Sequence, residues 1–229
     1  HHARAQAVAI CGNTIAAVGS SSEVAPLAGP ATHKIDCGGK TLMPGFVDSH
    51  CHVLAQVASL QGIDCSPKAV SSIEALEGVV KRQAEITQAG HWIRGFGYDD
   101  LSLLENRHPT RWDLDRAAPN HPVRLDHRSG HASVLNSQAL DLAGINETTP
   151  DPVEGVIHRD GHTGQPSGLL FEMSGYLRQR LGASRNQAAF QDSVHHLNNT
   201  LLGYGITSVQ DAGPDNGLDR WRTFQELQS

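Results

Sequence analysis

His50 and His52, two histidines one residue apart, are the residues whose type and spacing most directly suggest chemistry. They follow Pro44-Gly45-Phe46-Val47-Asp48-Ser49, a short apolar run that turns polar. Side chains alternate across a strand, so on an extended backbone His50 and His52 face one way and Cys51 the other. Two residues of strand separate their Cα atoms by roughly 6.5 Å. At that spacing two imidazoles can converge on one metal ion, with metal–nitrogen distances of about 2.0–2.1 Å for zinc. Phe46 and Asp48 lie on the same face further back, so this strand would carry packing residues first and ligands at its exit. An H-x-H pair also arises by chance in a chain with 14 histidines. The strand, the Pro-Gly before it and the helix after it are what give this pair weight.

Other candidates sit at the ends of further segments. His131 closes Asp126-His127-Arg128-Ser129-Gly130-His131 after a short strand. It reads as a substrate contact or a polariser of a developing oxyanion, against the alternative of a surface loop histidine; His127 in the same loop is a weaker candidate. Glu172 ends Gly168-Leu169-Leu170-Phe171-Glu172 and could ligate metal or handle protons, or could be a solvated acid favoured by a helix start. Asp211 ends Ile206-Thr207-Ser208-Val209-Gln210-Asp211 and is a catalytic candidate. Asp99 is a substrate-binding candidate, and Asp100 beside it reads as solvated. Trp92, Phe96 and Tyr98 read as packing residues, and Cys51 as packed behind its strand.

The elements that must position these residues fall into two regions, 1–43 and 44–229. Residues 5 to 42 read as all-β. Ala7-Val8-Ala9-Ile10 and Thr14-Ile15-Ala16-Ala17-Val18 are joined by a hairpin turn at Cys11-Gly12-Asn13, and Lys34–Cys37 and Lys40–Met43 are two further short strands. From Pro44 onward strands alternate with helices, as in parallel βα units. Val53–Leu60 can be helical. A helix capped at Ser71, with Glu74 three residues on, runs to Gln88. Others are expected from Asn136, over Ala188–Leu202 and over Asp219–Leu227. The polar stretch from Asn146 to Gly168 reads as a long loop with room for a hairpin. Phe46–His52, Pro122–Asp126 and Ile206–Asp211 end in polar residues, which fits the C-terminal rim of a barrel or an open α/β sheet.

Composition narrows the class. The chain has 229 residues, 38% hydrophobic and 18% charged, which is ordinary for a water-soluble fold. A formal net charge of −6 argues against a nucleic-acid partner. No apolar run approaches the roughly 18 residues of a membrane span. The four cysteines, Cys11, Cys37, Cys51 and Cys65, fit neither a C-x-x-C zinc site nor a compact disulfide framework. They suit a reducing compartment, so the cytoplasm is the expected location.

The segment Lys40–His52 resembles the one that opens the barrel of the amidohydrolase superfamily, and Gly12–Gly19 resembles the β-hairpin before it. Trp92–Asp99, Ser129-Gly130-His131 with Asn136–Leu140, and Gly205–Asp211 resemble the amidohydrolase-3 branch, which includes N-substituted formamide deformylases; Gly168-x-x-x-Glu172 resembles an element of the same branch. The resemblance implies an α/β fold: an incomplete (β/α)8 TIM-type barrel, about its first three strands, preceded by part of a small β-sandwich. It implies that His50 and His52 bind a divalent metal, commonly zinc. Such an ion polarises a carbonyl and acidifies water, while an acid–base residue passes a proton to the leaving amine. The implied function is hydrolysis of non-peptide C–N bonds in a small-molecule substrate, without nucleic-acid or membrane partners, and with self-association of the full-length protein left open. Family members carry a lysine, two further histidines and an aspartate after the third strand. Only 18 residues follow Asp211, so none of these can be placed. The expectation is therefore an N-terminal fragment that is inactive and unstable alone, the alternative being a non-catalytic fragment or binding module.

Overall fold

The computed structural model describes residues 4–182, 187–213 and 216–227. It divides into two compact units, His1–Pro44 and Gly45–Ser229. In the first, Ala7–Cys11 (β1) and Thr14–Gly19 (β2) pair antiparallel, from Ala7 opposite Gly19 to Cys11 opposite Thr14. Gly12 has φ +60°, which lets a two-residue turn reverse the chain. One short helix, Ser21–Val24 (α1), interrupts the expected all-β pattern. Its capping box is reciprocal: the Ser20 hydroxyl accepts the Glu23 N–H at 3.3 Å, and the Glu23 carboxylate accepts the Ser20 N–H at 2.8 Å.

The two further strands expected at Lys34–Cys37 and Lys40–Met43 do not form. Ile35, Leu42 and Met43 are 77%, 64% and 57% exposed. A strand needs an edge to pair with and a face to bury, and among the described residues of this unit β1 and β2 pair only with each other.

The second unit holds two sheets. Phe46–Cys51 (β3) lies parallel to Ile206–Asp211 (β10), with Ile206 opposite Phe46 and Asp211 opposite Cys51. Val53–Ser59 (α2) follows β3, Gln187–Gly203 (α7) precedes β10, and Leu218–Glu226 (α8) follows it. Leu54 and Val57 of α2 pack with Phe190 and Leu197 of α7, and Phe224 of α8 joins them.

The other sheet lies in sequence between β3 and β10. Its strands are Ile63–Asp64 (β4), Ile93–Tyr98 (β5), Val123–His127 (β6), Ala132–Leu135 (β7), Val156–Arg159 (β8) and Pro166–Phe171 (β9), in the order β4-β5-β6-β7-β9-β8. β4, β5 and β6 run parallel, and the remaining pairs are antiparallel. Ile73–Ile86 (α3) and Arg111–Ala117 (α4) join one core cluster, in which Leu76, Val80 and Leu114 meet Val123, Leu125, Val134 and Leu169. Ser137–Ala143 (α5) and Ser174–Leu181 (α6) join a second, in which Leu140 and Leu177 meet Leu135, Ile157 and Leu170. Val134 and Leu135, like Leu169 and Leu170, belong to different clusters. Neighbouring residues of a strand face opposite ways, so both faces are covered at β7 and β9, whereas β5 and β6 carry Arg94, Arg124 and Asp126 between their buried residues.

Two expectations change. Phe46–Cys51 and Ile206–Asp211 share a sheet, but Val123–His127 does not join them, because β5 and β7 occupy both its edges. Polar residues at a strand exit do not reveal which sheet the strand belongs to. No closed barrel forms among the described residues. The cap of α3 is Ser72 rather than Ser71: its hydroxyl accepts the Ala75 N–H at 3.0 Å. The stretch from Asn146 to Gly168 contains β8 and the start of β9, and no described helix is long and apolar enough to cross a membrane.

Candidate functional site

The β3–β10 pair carries the histidines as strand alternation requires. Cys51 is buried at 3% exposure, whereas His50 and His52 are exposed, with ring centroids 5.2 Å apart and planes at 90°. Among the described residues neither imidazole has a hydrogen-bond partner. The backbone beneath them is held instead. Asp48 accepts the His50 N–H at 3.0 Å. Asp211 accepts the Val53 N–H at 2.9 Å through one carboxylate oxygen and the Gly213 N–H at 2.8 Å through the other. His52 is the N-cap residue of α2 without a side-chain cap of its own, so Asp211 supplies from the neighbouring strand an acceptor for the first N–H of that helix. Burial works to raise the Asp211 carboxyl pKa, but the bonds from Gly213, Asn216 and Val53 and the charge of Arg220 outweigh it and hold the group below its ordinary range.

The remaining candidates gather at one end of the intervening sheet, as its topology dictates. β5 and β6 are parallel, β6 and β7 antiparallel, and β7 and β9 antiparallel. The ends of β5, β6 and β9 therefore lie beside the start of β7, which brings Asp99, Asp100, His127, His131 and Glu172 to a common edge. Phe171 stands opposite Ala132 and His127 opposite Tyr98.

His131 and Glu172 are joined twice. The Glu172 N–H donates to the His131 carbonyl at 2.8 Å, and the His131 Nδ1 lies 2.8 Å from the Glu172 carboxylate. Both side chains are largely open, at 70% and 59% exposure. Glu172 has φ +55°, a left-handed conformation that a side chain with a Cβ adopts at a cost. Asp99, by contrast, is enclosed. It accepts from Ser102 Oγ at 2.9 Å, Arg128 Nη1 at 2.8 Å and the Leu101 N–H at 3.3 Å. The Ser102 bond, together with Arg128, lowers its pKa.

No hydrogen bond or ion pair among the described residues joins the His50–His52 pair to Asp99, His131 or Glu172. Sequence reasoning missed two participants. Asp100 is not a solvated acid: its oxygens lie 3.1 Å from His127 Nε2 and 3.7 Å from His108 Nε2. The available signal was the Asp99-Asp100 pair ending a strand next to the strand that ends in His127. His108 gave no comparable signal, because it reaches the edge from an irregular loop through the Tyr98 hydroxyl, 3.1 Å from its Nδ1. Tyr98 is fully buried, and that burial pushes its phenol far above the ordinary range.

The model of the amidohydrolase family, Amidohydro_3, matches residues 34–229. An N-substituted formamide deformylase of Arthrobacter pascens is 38% identical over 214 residues, which is 91% of this chain and 39% of that protein. A putative amidohydrolase, YtcJ, of Bacillus subtilis is 35% identical over 74% of this chain and 32% of its own length. The crystal structure of an uncharacterized metal-dependent hydrolase from Pyrococcus furiosus aligns with a TM-score of 0.63 at 28% identity, covering 96% of this chain and 42% of that one. The chain thus spans about two fifths of the length of the deformylase and the solved hydrolase. With the match running from residue 34 through the β3–β10 pair and the whole intervening sheet to residue 229, the chain belongs to the amidohydrolase family.

Proposed function

We propose that this chain contributes the first part of the active site of a metal-dependent hydrolase that cleaves non-peptide C–N bonds of small amides. One observation carries this reading: two exposed imidazoles, free of protein partners among the described residues, converge at the exit of a parallel strand pair. Such strand exits are where barrel and open-sheet enzymes place their chemistry. A donor set of two imidazoles suits zinc and its neighbours among the divalent transition metals. When bound, such an ion supplies Lewis acidity to an amide carbonyl and to water.

In this reading His50 and His52 hold the ion. Asp48 and Asp211 fix the backbone that carries them. His131, with its Nδ1 against the Glu172 carboxylate, has Nε2 left for contact with a substrate or for passing a proton, the arrangement by which a carboxylate orients an acid–base imidazole. Two imidazoles are fewer than the three protein ligands usual at catalytic zinc. In this reading the ion needs further ligands than these two imidazoles, and the 229-residue chain by itself is expected to be inactive.

The test uses the full chain. Metal content is measured by elemental analysis, and formate release is followed from N-substituted formamides alongside other small amides. The paired substitution His50→Ala, His52→Ala is expected to remove the ion held by these two residues and to lower turnover by more than the roughly 10–100-fold that loss of a single supporting group at a metal site costs. Undiminished metal and turnover would overturn the reading. Metal binding without hydrolysis of any C–N substrate would support a binding module instead.

A further inference from the structure

The end of the intervening sheet holds a second set of groups suited to a cation, apart from His50 and His52. β5 runs out through Tyr98 into Asp99 and Asp100, and Asp99 caps a single 3-10 turn over Asp100–Ser102. The parallel neighbour β6 ends in His127. This pairing points two carboxylates and an imidazole at one another. His127 Nε2 lies 3.1 Å from Asp100 Oδ1 and 3.9 Å from Asp99 Oδ1. One ligand atom from each of the three residues falls within 4.8 Å of the others.

His127 Nε2 has no solvent exposure and no hydrogen-bond partner, on a side chain that is only 14% exposed. A buried polar atom that makes no hydrogen bond is costly, and here its neighbours are two carboxylate oxygens, met as charge contacts at 3.1 and 3.9 Å. The other ring nitrogen is engaged: Nδ1 lies 2.8 Å from the Ser129 hydroxyl. With Nδ1–H donated to that oxygen, Nε2 presents a lone pair, the tautomer that a hydrogen-bonded metal-ligating histidine adopts. The Ser129 N–H, 3.2 Å from the same Nδ1, would give up its longer contact. Ligands bound at about 2.1 Å stand about 3.0–3.4 Å apart around one ion; the His127–Asp100 separation of 3.1 Å fits this, and Asp99 Oδ1, at 3.9 Å from His127 Nε2, would have to draw closer.

The surroundings are built to hold the carboxylates. Arg128 and Ser102 take Asp99 Oδ2 at 2.8 and 2.9 Å, so Oδ1, which accepts the longer Leu101 N–H bond at 3.3 Å, faces His127. Asp100 Oδ2 faces His108 Nε2 at 3.7 Å, and Tyr98 OH steadies His108 from its other nitrogen at 3.1 Å. Arg128 offsets one of the two carboxylate charges, so the pocket keeps one net negative charge when its imidazoles are neutral.

We infer that Asp99, Asp100 and His127 bind one divalent transition-metal ion, with His108 and Ser129 orienting the ligands from behind. The site rests on residues that the proposed hydrolytic site does not use, and either can exist without the other. The experiment starts from the full chain carrying His50→Ala and His52→Ala, titrated with Zn²⁺ or Co²⁺ alone by calorimetry and elemental analysis. About one equivalent of ion is expected to remain. Adding Asp100→Asn or His127→Gln is expected to abolish it, with far-ultraviolet circular dichroism unchanged. A paired His50, His52 variant that binds no ion would overturn the inference, as would an equivalent that survives both further substitutions. Neither result depends on whether the wild-type chain hydrolyses amides. A Co²⁺ absorption band in the visible that vanishes with His127→Gln, while a Ser129→Ala variant binds the ion more weakly, would show that the imidazole itself ligates.

Discussion

Asp211 accepts the backbone N–H of Val53 at 2.9 Å across 158 residues of sequence, and this bond ties the exit of β10 to the turn that carries His52. Asp211 is thereby a positioning residue. Removing such a support typically costs 10–100-fold in metal affinity. Asp211→Ala in the full chain is expected to weaken binding at the His50–His52 site by about that factor, and Asp211→Asn by less, because an amide oxygen can still accept one of the two N–H groups. Calorimetric titration of both variants checks this order. Equal losses would mean that charge, rather than the geometry of the turn, is what Asp211 supplies.

Glu172 offers a second test, because its backbone and its side chain pull in different directions. A left-handed residue with a Cβ costs roughly 1–2 kcal/mol. Its ion pair with His131, at 59% and 70% exposure, is worth only about 0–1 kcal/mol. Glu172→Gly is therefore expected to leave stability unchanged or to raise it by up to about 1 kcal/mol, measured by urea denaturation. Turnover of the full chain is expected to fall, because His131 loses its carboxylate. A large loss of stability would show that Glu172 is retained for the fold instead.

Asp113 is the clearest source of pH-dependent stability. It is 3% exposed and accepts from Thr110, Arg107 and Arg116 at the start of α4. Burial would raise its pKa, but those bonds outweigh burial and hold it at about 2 against an ordinary 3.8. The depressed value means that the ionised form stabilises the fold. That contribution is fully present above about pH 4 and disappears as pH falls through about 2; at ~1.4 kcal/mol per pH unit it amounts to about 2 kcal/mol. Asp113→Asn is expected to be destabilised by about this much at pH 7 and to show a flatter loss of stability between pH 4 and pH 2. Parallel curves for variant and wild type would contradict the assignment.

Much of this was legible in the residues, and the gaps have physical causes. The alternation that sends Cys51 inward and His50 and His52 outward follows from strand geometry alone. The Gly12–Asn13 turn and the helix starting after Asn136 are local effects of the same kind. Sheet membership is not local. Val123–His127 and Ile206–Asp211 look alike as short strand-forming segments with polar exits, and only their pairing partners separate them. Lys34–Cys37 and Lys40–Met43 show the converse failure: their strand-like composition finds no edge to pair with. Asp100 reads as solvated because its ion-pair partner His127 is remote in sequence and His108 reaches it only through an irregular loop. Asp211 stands out by where its strand ends, but its bond to Val53 belongs to the folded register.

Gly168 is the position in the intervening sheet where a small change should cost most. It has φ +94°, and an added Cβ would fall on the Leu135 carbonyl oxygen and 2.9 Å from the Arg111 nitrogen. Backbone atoms cannot move aside as side-chain ends do. Gly168→Ala is expected to lose at least about 2 kcal/mol by thermal or urea unfolding, combining left-handed strain with overpacking. A change of less than 0.5 kcal/mol would show that β9 can shift to make room.

The placement of that sheet between β3 and β10 also has a kinetic consequence. Bringing Phe46 opposite Ile206 closes a loop of the whole intervening chain, and a long disordered loop opposes closure through its entropy. Once the six strands between have folded, the ends to be joined are held by a compact body, and the effective loop is much shorter. Productive β3–β10 pairing should therefore wait on the middle of the chain. A substitution that slows folding of the intervening sheet would delay assembly of the histidine pair without touching it, much as a scaffold must stand before its keystone can be set.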